Sequence, residues 1–189
     1  SGWPRFWWQQ EALLEPLSAV RNKQGRLMGR MEALGLMNQD EALLRNLTTD
    51  VLKTSDIEGE VLSNSEVRSS IARRLGIMID ETTVSGRHVE GIVEITLDAS
   101  GRFQEPLTKE RLCNGHAALF PTGRSGMFAI TVGDWRKDDN GPMQVVSGAM
   151  GKEKVHFESP EAAAVDAEME RFLYWFNTDT TMEPVLKAA

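Results

Sequence analysis

Two short glycine loops are the parts of this sequence that come nearest to a chemical motif. Residues 148–152 (GAMGK) resemble the end of a phosphate-binding loop, in which glycines and a lysine hold nucleotide phosphates. Val146 stands where the first glycine of such a loop belongs, and Glu153 replaces the Ser or Thr that would bind magnesium. A hairpin turn is therefore the better interpretation of residues 148–152, and residues 123–126 (GRSG) are interpreted as an ordinary turn.

The side chains that bind metals or act as nucleophiles are few and scattered. Cys113 has no base near it in the sequence, which favours a buried apolar role. The histidines are far apart and lack the spacing of metal ligands: His88, His116 and His156. The tryptophans near the start favour core packing or an N-terminal clasp over base stacking: Trp3, Trp7 and Trp8. The sequence therefore contains no complete catalytic set and predicts no metal site.

Charge and composition limit the binding partners and the cellular compartment that we expect for this protein. The formal net charge is -7, which argues against a broad nucleic-acid surface because phosphate binding needs clustered cations. The chain has one cysteine, so no intrachain disulfide can form, in keeping with a reducing compartment. No run of about 18 apolar residues could span a bilayer, and the first residues do not resemble a signal peptide. We therefore expect a cytoplasmic protein without membrane contact.

Helical periodicity dominates the chain up to about residue 119. Apolar residues at alternating steps of four and three predict a helix over residues 13–34, which Gly35 would end. A second helix is predicted over residues 41–53, and residues 63–66 (SNSE) fit a capping box that opens a third, ended by Gly76. Further helices are predicted over 88–99, from a Thr108 cap to 119, from Ser159-Pro160 to about 176, and from Glu183 onward.

The pattern changes between residues 120 and 160, where glycine and proline are frequent and β-type runs appear. These runs cover residues 128–132, 143–146 and 155–157, and residues 147–152 suit the tip of a hairpin. The predicted fold is mainly α, a helical bundle with one inserted β-hairpin. Since a helix that opens at Glu183 and stops at Ala189 is too short to be stable alone, we expect a truncated domain.

Several segments together resemble one enzyme family. Residues 54–59 (TSDIEG) match the inhibitory motif of Fic proteins, Ser/Thr-x-x-x-Glu-Gly/Asn. Residues 143–148 followed by 155–160 resemble the Fic flap hairpin and the proline-capped helix behind it, and residues 133–136 (GDWR) resemble the element that leads into the flap. Trp3-Pro4 and residues 24–30 resemble the helical extension of one Fic subgroup. The resemblance covers nearly the whole chain.

This resemblance implies a division into an N-terminal helical extension, residues 1–85, and the first part of a Fic domain, residues 86–189. The inhibitory helix would span about 54–60 and the flap about 143–157. Glu58 would pair with an arginine that otherwise grips the γ-phosphate of ATP, and so act as a brake. The other inhibitory positions would be Thr54, which would cap the short helix, Ser55 and Gly59. The target would be positioned by Gln144, Val145, Val146, Ser147 and Gly148.

The sequence departs from the family at its catalytic signature. The pattern His-Pro-Phe-x-Asp/Glu-Gly-Asn-Gly-Arg-x-x-Arg has no match, and by the family layout it would follow Ala189. Complete Fic proteins transfer AMP from ATP, with magnesium, to a Ser, Thr or Tyr hydroxyl of a protein target. We therefore expect no catalytic residue and no metal ligand in this chain, no AMP transfer by it alone, and no tightly bound ATP or magnesium.

The implied partners are a protein with a target hydroxyl and ATP, with no nucleic acid bound through this segment; homodimer formation stays open. Two other interpretations of the sequence also stay open. The chain could be a stand-alone module that inhibits a separate Fic enzyme in trans, as small antitoxins do, although such an inhibitor has no use for a flap. It could also be a helical interaction domain without nucleotide chemistry.

Overall fold

The computed structural model describes residues 7–33, 36–137, 142–149 and 151–188. Most of these residues are helical, as predicted. The helices are α1 (Gln10–Glu32), α2 (Leu36–Ile57), α3 (Asn64–Leu75), α4 (Arg87–Gly101), α5 (Lys109–Leu119), α6 (Ala162–Thr178) and α7 (Pro184–Ala188). The strands are β1 (Arg124–Ser125), β2 (Phe128–Ala129), β3 (Gln144–Ser147) and β4 (Lys154–Glu158).

The strands form two separate antiparallel hairpins, β1 with β2 and β3 with β4. The β3–β4 hairpin confirms the predicted insertion. The β1–β2 hairpin corrects the interpretation of residues 123–126 as a simple turn and shortens the predicted run 128–132 to two residues. Gly123 and Gly126 have φ of 71° and 57°, so the chain reverses twice within a few residues and leaves no room for a longer strand.

The chain divides into two units, residues 1–47 and 48–189. The first unit contains α1 and the beginning of α2. The predicted helix over residues 13–34 is confirmed as α1, although none of the residues of α1 is buried. The predicted end of its stripe, at Leu34 and Gly35, lies outside the described residues, as does Trp3-Pro4.

The second unit holds a hydrophobic core in the last part of α2 and in α3 and α4. Its members are almost completely buried: Val51, Val67, Ile71, Ala72, Val89 and Val93. Burying a valine or isoleucine side chain stabilises the fold by about 1.5–3 kcal/mol. Helix α4 packs against both α3 and α5. It approaches α5 so closely that a Cβ on Gly91 would overlap the carbonyl oxygen of Ala118, so this crossing requires glycine.

Side-chain caps were predicted at four helix starts; Thr54 is described with the candidate site, and two of the other three are different in the structure. Thr108 caps α5 as predicted, since its hydroxyl accepts from the amide of Arg111. Ser63 makes no cap bond to α3, and the Glu66 carboxylate accepts instead from the amide of Gly86, 3.0 Å away. Helix α6 begins at Ala162 rather than at Pro160, with no side-chain cap. Tertiary contacts take Glu66 and Ser159, which the local patterns assigned to the caps, while the hydroxyl of Ser63 bonds to that of Ser65.

Candidate functional site

Residues 54–60, the helix-end segment, are not a separate helix. Helix α2 runs without a break from Leu36 to Ile57, so the predicted boundary at residue 53 and the predicted cap at Thr54 were wrong. Thr54 and Ser55 lie inside the last turns of α2, and Ser55 is only 5% exposed. The Thr-Ser-Asp sequence is typical of a helix start. Val51 and Ser55 are both buried on one side of α2, and this packing favours a helix that extends through the sequence.

Gly59 ends α2 in a Schellman motif. Its φ is 81°, its amide donates to the carbonyl of Asp56 at 3.1 Å, and the amide of Glu60 donates to the carbonyl of Ser55 at 2.9 Å. A Cβ at Gly59 would meet no atom within 4 Å, so the glycine is required for its backbone conformation rather than for space. The motif fixes the direction in which the chain leaves the helix, immediately after Glu58.

Three acidic residues occupy alternate positions at this helix end, Asp56, Glu58 and Glu60, and the structure gives them different neighbours. Lys53 pairs with Asp56, with Nζ and Oδ2 3.2 Å apart. The Nε2 of His88 lies 3.6 Å from Oε2 of Glu60. The carboxylate of Glu58 is exposed and makes no hydrogen bond or ion pair within the described residues. The C-terminal end of a helix carries partial negative charge, so an acid there gains from a cation brought close to it.

The β3–β4 hairpin spans residues 144–158, and all residues of its two strands are exposed. Val145 pairs with Phe157 and Val146 pairs with Val155, which leaves His156 as the extra residue of a β-bulge. The Nε2 of His156 lies 2.6 Å from Oγ of Ser147, and the amide nitrogen of the Gln144 side chain donates to Glu158. These contacts fix the register of the hairpin from both ends of β3.

The hairpin combines unpaired backbone groups at its strand edges with exposed apolar side chains. In the described part of the chain β3 and β4 pair only with each other, so each strand has one open edge. Val145 is 59% exposed and its partner Phe157 is 48% exposed. Gly148, with a φ of 117°, turns the chain out of β3, and a Cβ there would lie 2.7 Å from the carbonyl oxygen of Lys152. Met150, part of the predicted tip, lies outside the described residues.

Residues 133–136, predicted to lead into the hairpin, are held by side chains that the sequence reasoning missed. The indole of Trp135 donates to Oδ1 of Asp166 on α6, 2.9 Å away. Lys109 on α5 binds the same carboxylate oxygen at 2.9 Å and lies over the Trp135 ring. This hydrogen bond with Lys109 raises the pKa of the lysine and lowers the pKa of Asp166. No local pattern signals a pair separated by 57 residues.

The helix-end segment and the hairpin belong to the same unit, residues 48–189. Within the described ranges, no hydrogen bond or ion pair joins the two. The structure therefore brings each group of predicted site residues together separately: Thr54, Ser55, Glu58 and Gly59 at the end of α2, and Gln144 to Gly148 on β3 and the turn after it.

Other candidate features contain none of the predicted site residues. An open groove of about 230 Å³ is lined by Lys23, Arg26, Leu27 and Arg30 of α1. The residues that the structure describes include no group of three or more His, Cys, Asp or Glu side chains placed to hold a metal ion. None of the described helices combines the length and the apolar character needed to cross a bilayer.

No curated protein matches the chain. Residues 1–77 match a sequence family that is described as a domain of unknown function, DUF4172. The matched part contains the helix-end segment and stops just after Gly76, which ends α3, so it does not include the hairpin. In this region the chain is similar to DUF4172.

Proposed function

We propose that this chain is the part of a self-inhibited Fic-type protein adenylyltransferase that carries the brake and the target-positioning flap. The observation that supports it most is the state of Glu58. Of the three acids at the end of α2, Asp56 and Glu60 have cationic or histidine neighbours, whereas Glu58 has none within the described residues. An exposed carboxylate at a fixed helix end can form an ion pair with an arginine side chain from outside residues 48–189.

The brake acts through electrostatic competition. The Glu58 carboxylate pairs with an arginine that would otherwise hold the γ-phosphate of ATP, and it repels that phosphate as well. Without this grip the α-phosphate is not held in line with the attacking hydroxyl. The Schellman motif at Gly59 contributes by fixing the position from which Glu58 reaches its partner.

The hairpin supplies the second half of the proposal. An extended target segment can add to its open edge as a further strand, with main-chain hydrogen bonds to β3. Such bonds set the register of the target hydroxyl without requiring one particular target side chain. The exposed pair Val145 and Phe157 adds an apolar contact for a residue near the hydroxyl.

In the proposed reaction the target hydroxyl loses its proton to a histidine, and its oxygen attacks the α-phosphate of ATP. The bond from the α-phosphorus to the bridging oxygen breaks, and pyrophosphate leaves. The histidine and the groups that would bind magnesium and phosphate belong to the Fic signature, which has no match in this sequence.

The test is auto-AMPylation of the full-length parent protein with labelled ATP. Glu58→Gly and Glu58→Gln should each raise incorporation by about tenfold or more, which corresponds to at least ~1.4 kcal/mol of lost inhibition. Glu60→Gln is the matched control, because it removes an acid two residues away that already has a neighbour in His88. Equal incorporation by Glu58→Gln, Glu60→Gln and the unchanged protein would reject the brake.

A cheaper test is the DNA that follows codon 189 in the parent gene. The proposal expects the histidine signature shortly after it. A stop codon there, together with tight binding of this chain to a separate Fic enzyme, would instead support inhibition in trans by the same Glu58.

A further inference from the structure

The two ends of the hairpin are joined outside the strands. The amide of Ser159 donates to the carbonyl of Met143 at 2.8 Å, which extends the ladder by one bond beyond β3 and β4. Farther out, one nitrogen of the Arg136 guanidinium donates to Oγ of Ser159 at 3.1 Å and also to the carbonyl oxygen of Pro160. Arg136 precedes the hairpin and Pro160 follows it, so this side chain connects the two segments between which the hairpin projects.

The segment that carries Arg136 is itself attached to two helices. The amide of Gly133 lies 3.4 Å from Nδ1 of His116 on α5. The indole of Trp135 is bound to Asp166 on α6, and Lys109 of α5 holds the same carboxylate. A continuous series of contacts therefore leads from α5 and α6 through Trp135 and Arg136 to the base of the hairpin.

We propose that Arg136 is a positioning residue: its guanidinium fixes the direction of the hairpin, and with it the open edge of β3, relative to α5 and α6. A planar guanidinium can donate to both acceptors at once, whereas a lysine ammonium at the end of a flexible chain holds the same geometry less well. Because every residue of β3 and β4 is exposed, burial of the strands in a core does not set this direction. The consequence for target docking rests on the proposed function.

The first measurement is amide hydrogen exchange on the 189-residue chain. Arg136→Gln should speed exchange at Ser159 and within β3 and β4 by about fivefold, the effect of losing one or two exposed charge-assisted hydrogen bonds, and leave Ile71 unchanged. Arg171→Gln is the matched control, because Arg171 is an exposed arginine of α6 that pairs with Glu168. Hairpin exchange in Arg136→Gln equal to that in Arg171→Gln would overturn the proposal.

The second measurement separates positioning from general damage. In full-length protein released by Glu58→Gly, Arg136→Gln should lower auto-AMPylation about fivefold while the Kd for ATP stays the same, with Arg136→Lys in between. Loss of ATP affinity together with transfer, or no loss of transfer, would reject a positioning role. If Arg136→Gln fails to fold, Trp135→Phe tests the same series of contacts, since it removes the indole donor to Asp166 and part of the ring under Lys109.

The two proposals fail in different ways. A full-length Glu58→Gly protein that transfers no AMP would argue against the proposed enzyme, while the exchange experiment would still decide whether Arg136 holds the hairpin. Normal AMP transfer with unchanged hairpin exchange would reject the role of Arg136 alone.

Discussion

The end of α2 and the β3–β4 hairpin are built in opposite ways. The last turns of α2, just before Glu58, are anchored by the buried residues Val51 and Ser55. A Schellman motif fixes the end of the helix. The strands of the hairpin are exposed along their whole length, and polar side chains hold the base of the hairpin. A brake needs one charge at one fixed point, which a packed helix provides. A docking strand needs an accessible backbone, which a core would cover.

The largest expected difference between the two regions is the effect of truncating a valine. Val67→Ala removes two methyl groups at a site with 0% exposure, so the free energy of unfolding should fall by roughly 2–3 kcal/mol. Val145→Ala makes the same change at a site with 59% exposure and should cost less than about 0.5 kcal/mol. Urea unfolding followed by circular dichroism measures both, and equal losses would contradict the contrast between core and hairpin.

The glycine at the helix end should show a smaller effect. Gly59→Ala places a Cβ on a residue with a φ of 81°, which should lower the free energy of unfolding by about 1–2 kcal/mol. Gly101→Ala is the matched control, because Gly101 lies in helix α4, has no positive φ and would meet no atom within 4 Å. Alanine there should stabilise slightly. Changes of the same sign in both variants would argue against the Schellman geometry.

Acid should weaken the helical region through Glu90. Burial alone would raise the pKa of Glu90, but the nearby hydroxyls of Ser70 and Ser85 and the guanidinium groups of Arg73 and Arg74 outweigh it and lower the pKa below 4.5. The stabilisation is therefore present above pH 4.5 and is lost as the pH falls through the lowered pKa.

Glu90→Gln should accordingly cost on the order of 1 kcal/mol at neutral pH and make unfolding less sensitive to acid below about pH 4.5. Thermal unfolding between pH 3 and pH 7 checks this, with Glu168→Gln as an exposed control of the same type. Acid sensitivity that is unchanged in Glu90→Gln would mean that other carboxylates hold α3 and α4 together.

The smallest global effect is expected at the hairpin turn. Gly148→Ala adds a Cβ 2.7 Å from the carbonyl oxygen of Lys152 at a φ of 117°, so the hairpin amides should exchange faster. Global unfolding should change by less than about 0.5 kcal/mol, because no core residue depends on this turn. Gly151→Ala distinguishes backbone strain from steric overlap. Gly151 also has a positive φ, 82°, but a Cβ there would meet no atom within 4 Å. A cooperative loss of the helices in Gly148→Ala would show that the regions are not independent.

Local sequence patterns predicted the element types well and some of their ends poorly. The glycine that ends α3, Gly76, and the Thr108 cap depend only on neighbouring residues, and they are where the sequence predicts them. The predicted start of a helix at Thr54 was wrong. A Thr-Ser-Asp sequence can begin a helix or lie within one, and here the burial of Ser55 favours the continuous helix. The capping box at residues 63–66 was wrong because the amide of Gly86, 20 residues later, takes Glu66.

The sequence by itself determined the mainly helical chain, the late hairpin and the position of Glu58 beside a glycine, since these depend on periodicity and on backbone preferences within a few residues. Tertiary structure decided that Glu60 lies near His88, and it brought Lys109, Trp135 and Asp166 together at the base of the hairpin. The physical reason is distance along the chain. The Lys53–Asp56 pair follows from i,i+3 spacing on one helix, whereas partners far apart in the chain meet only after the helices have packed, and the sequence pattern around either of them carries no record of the other.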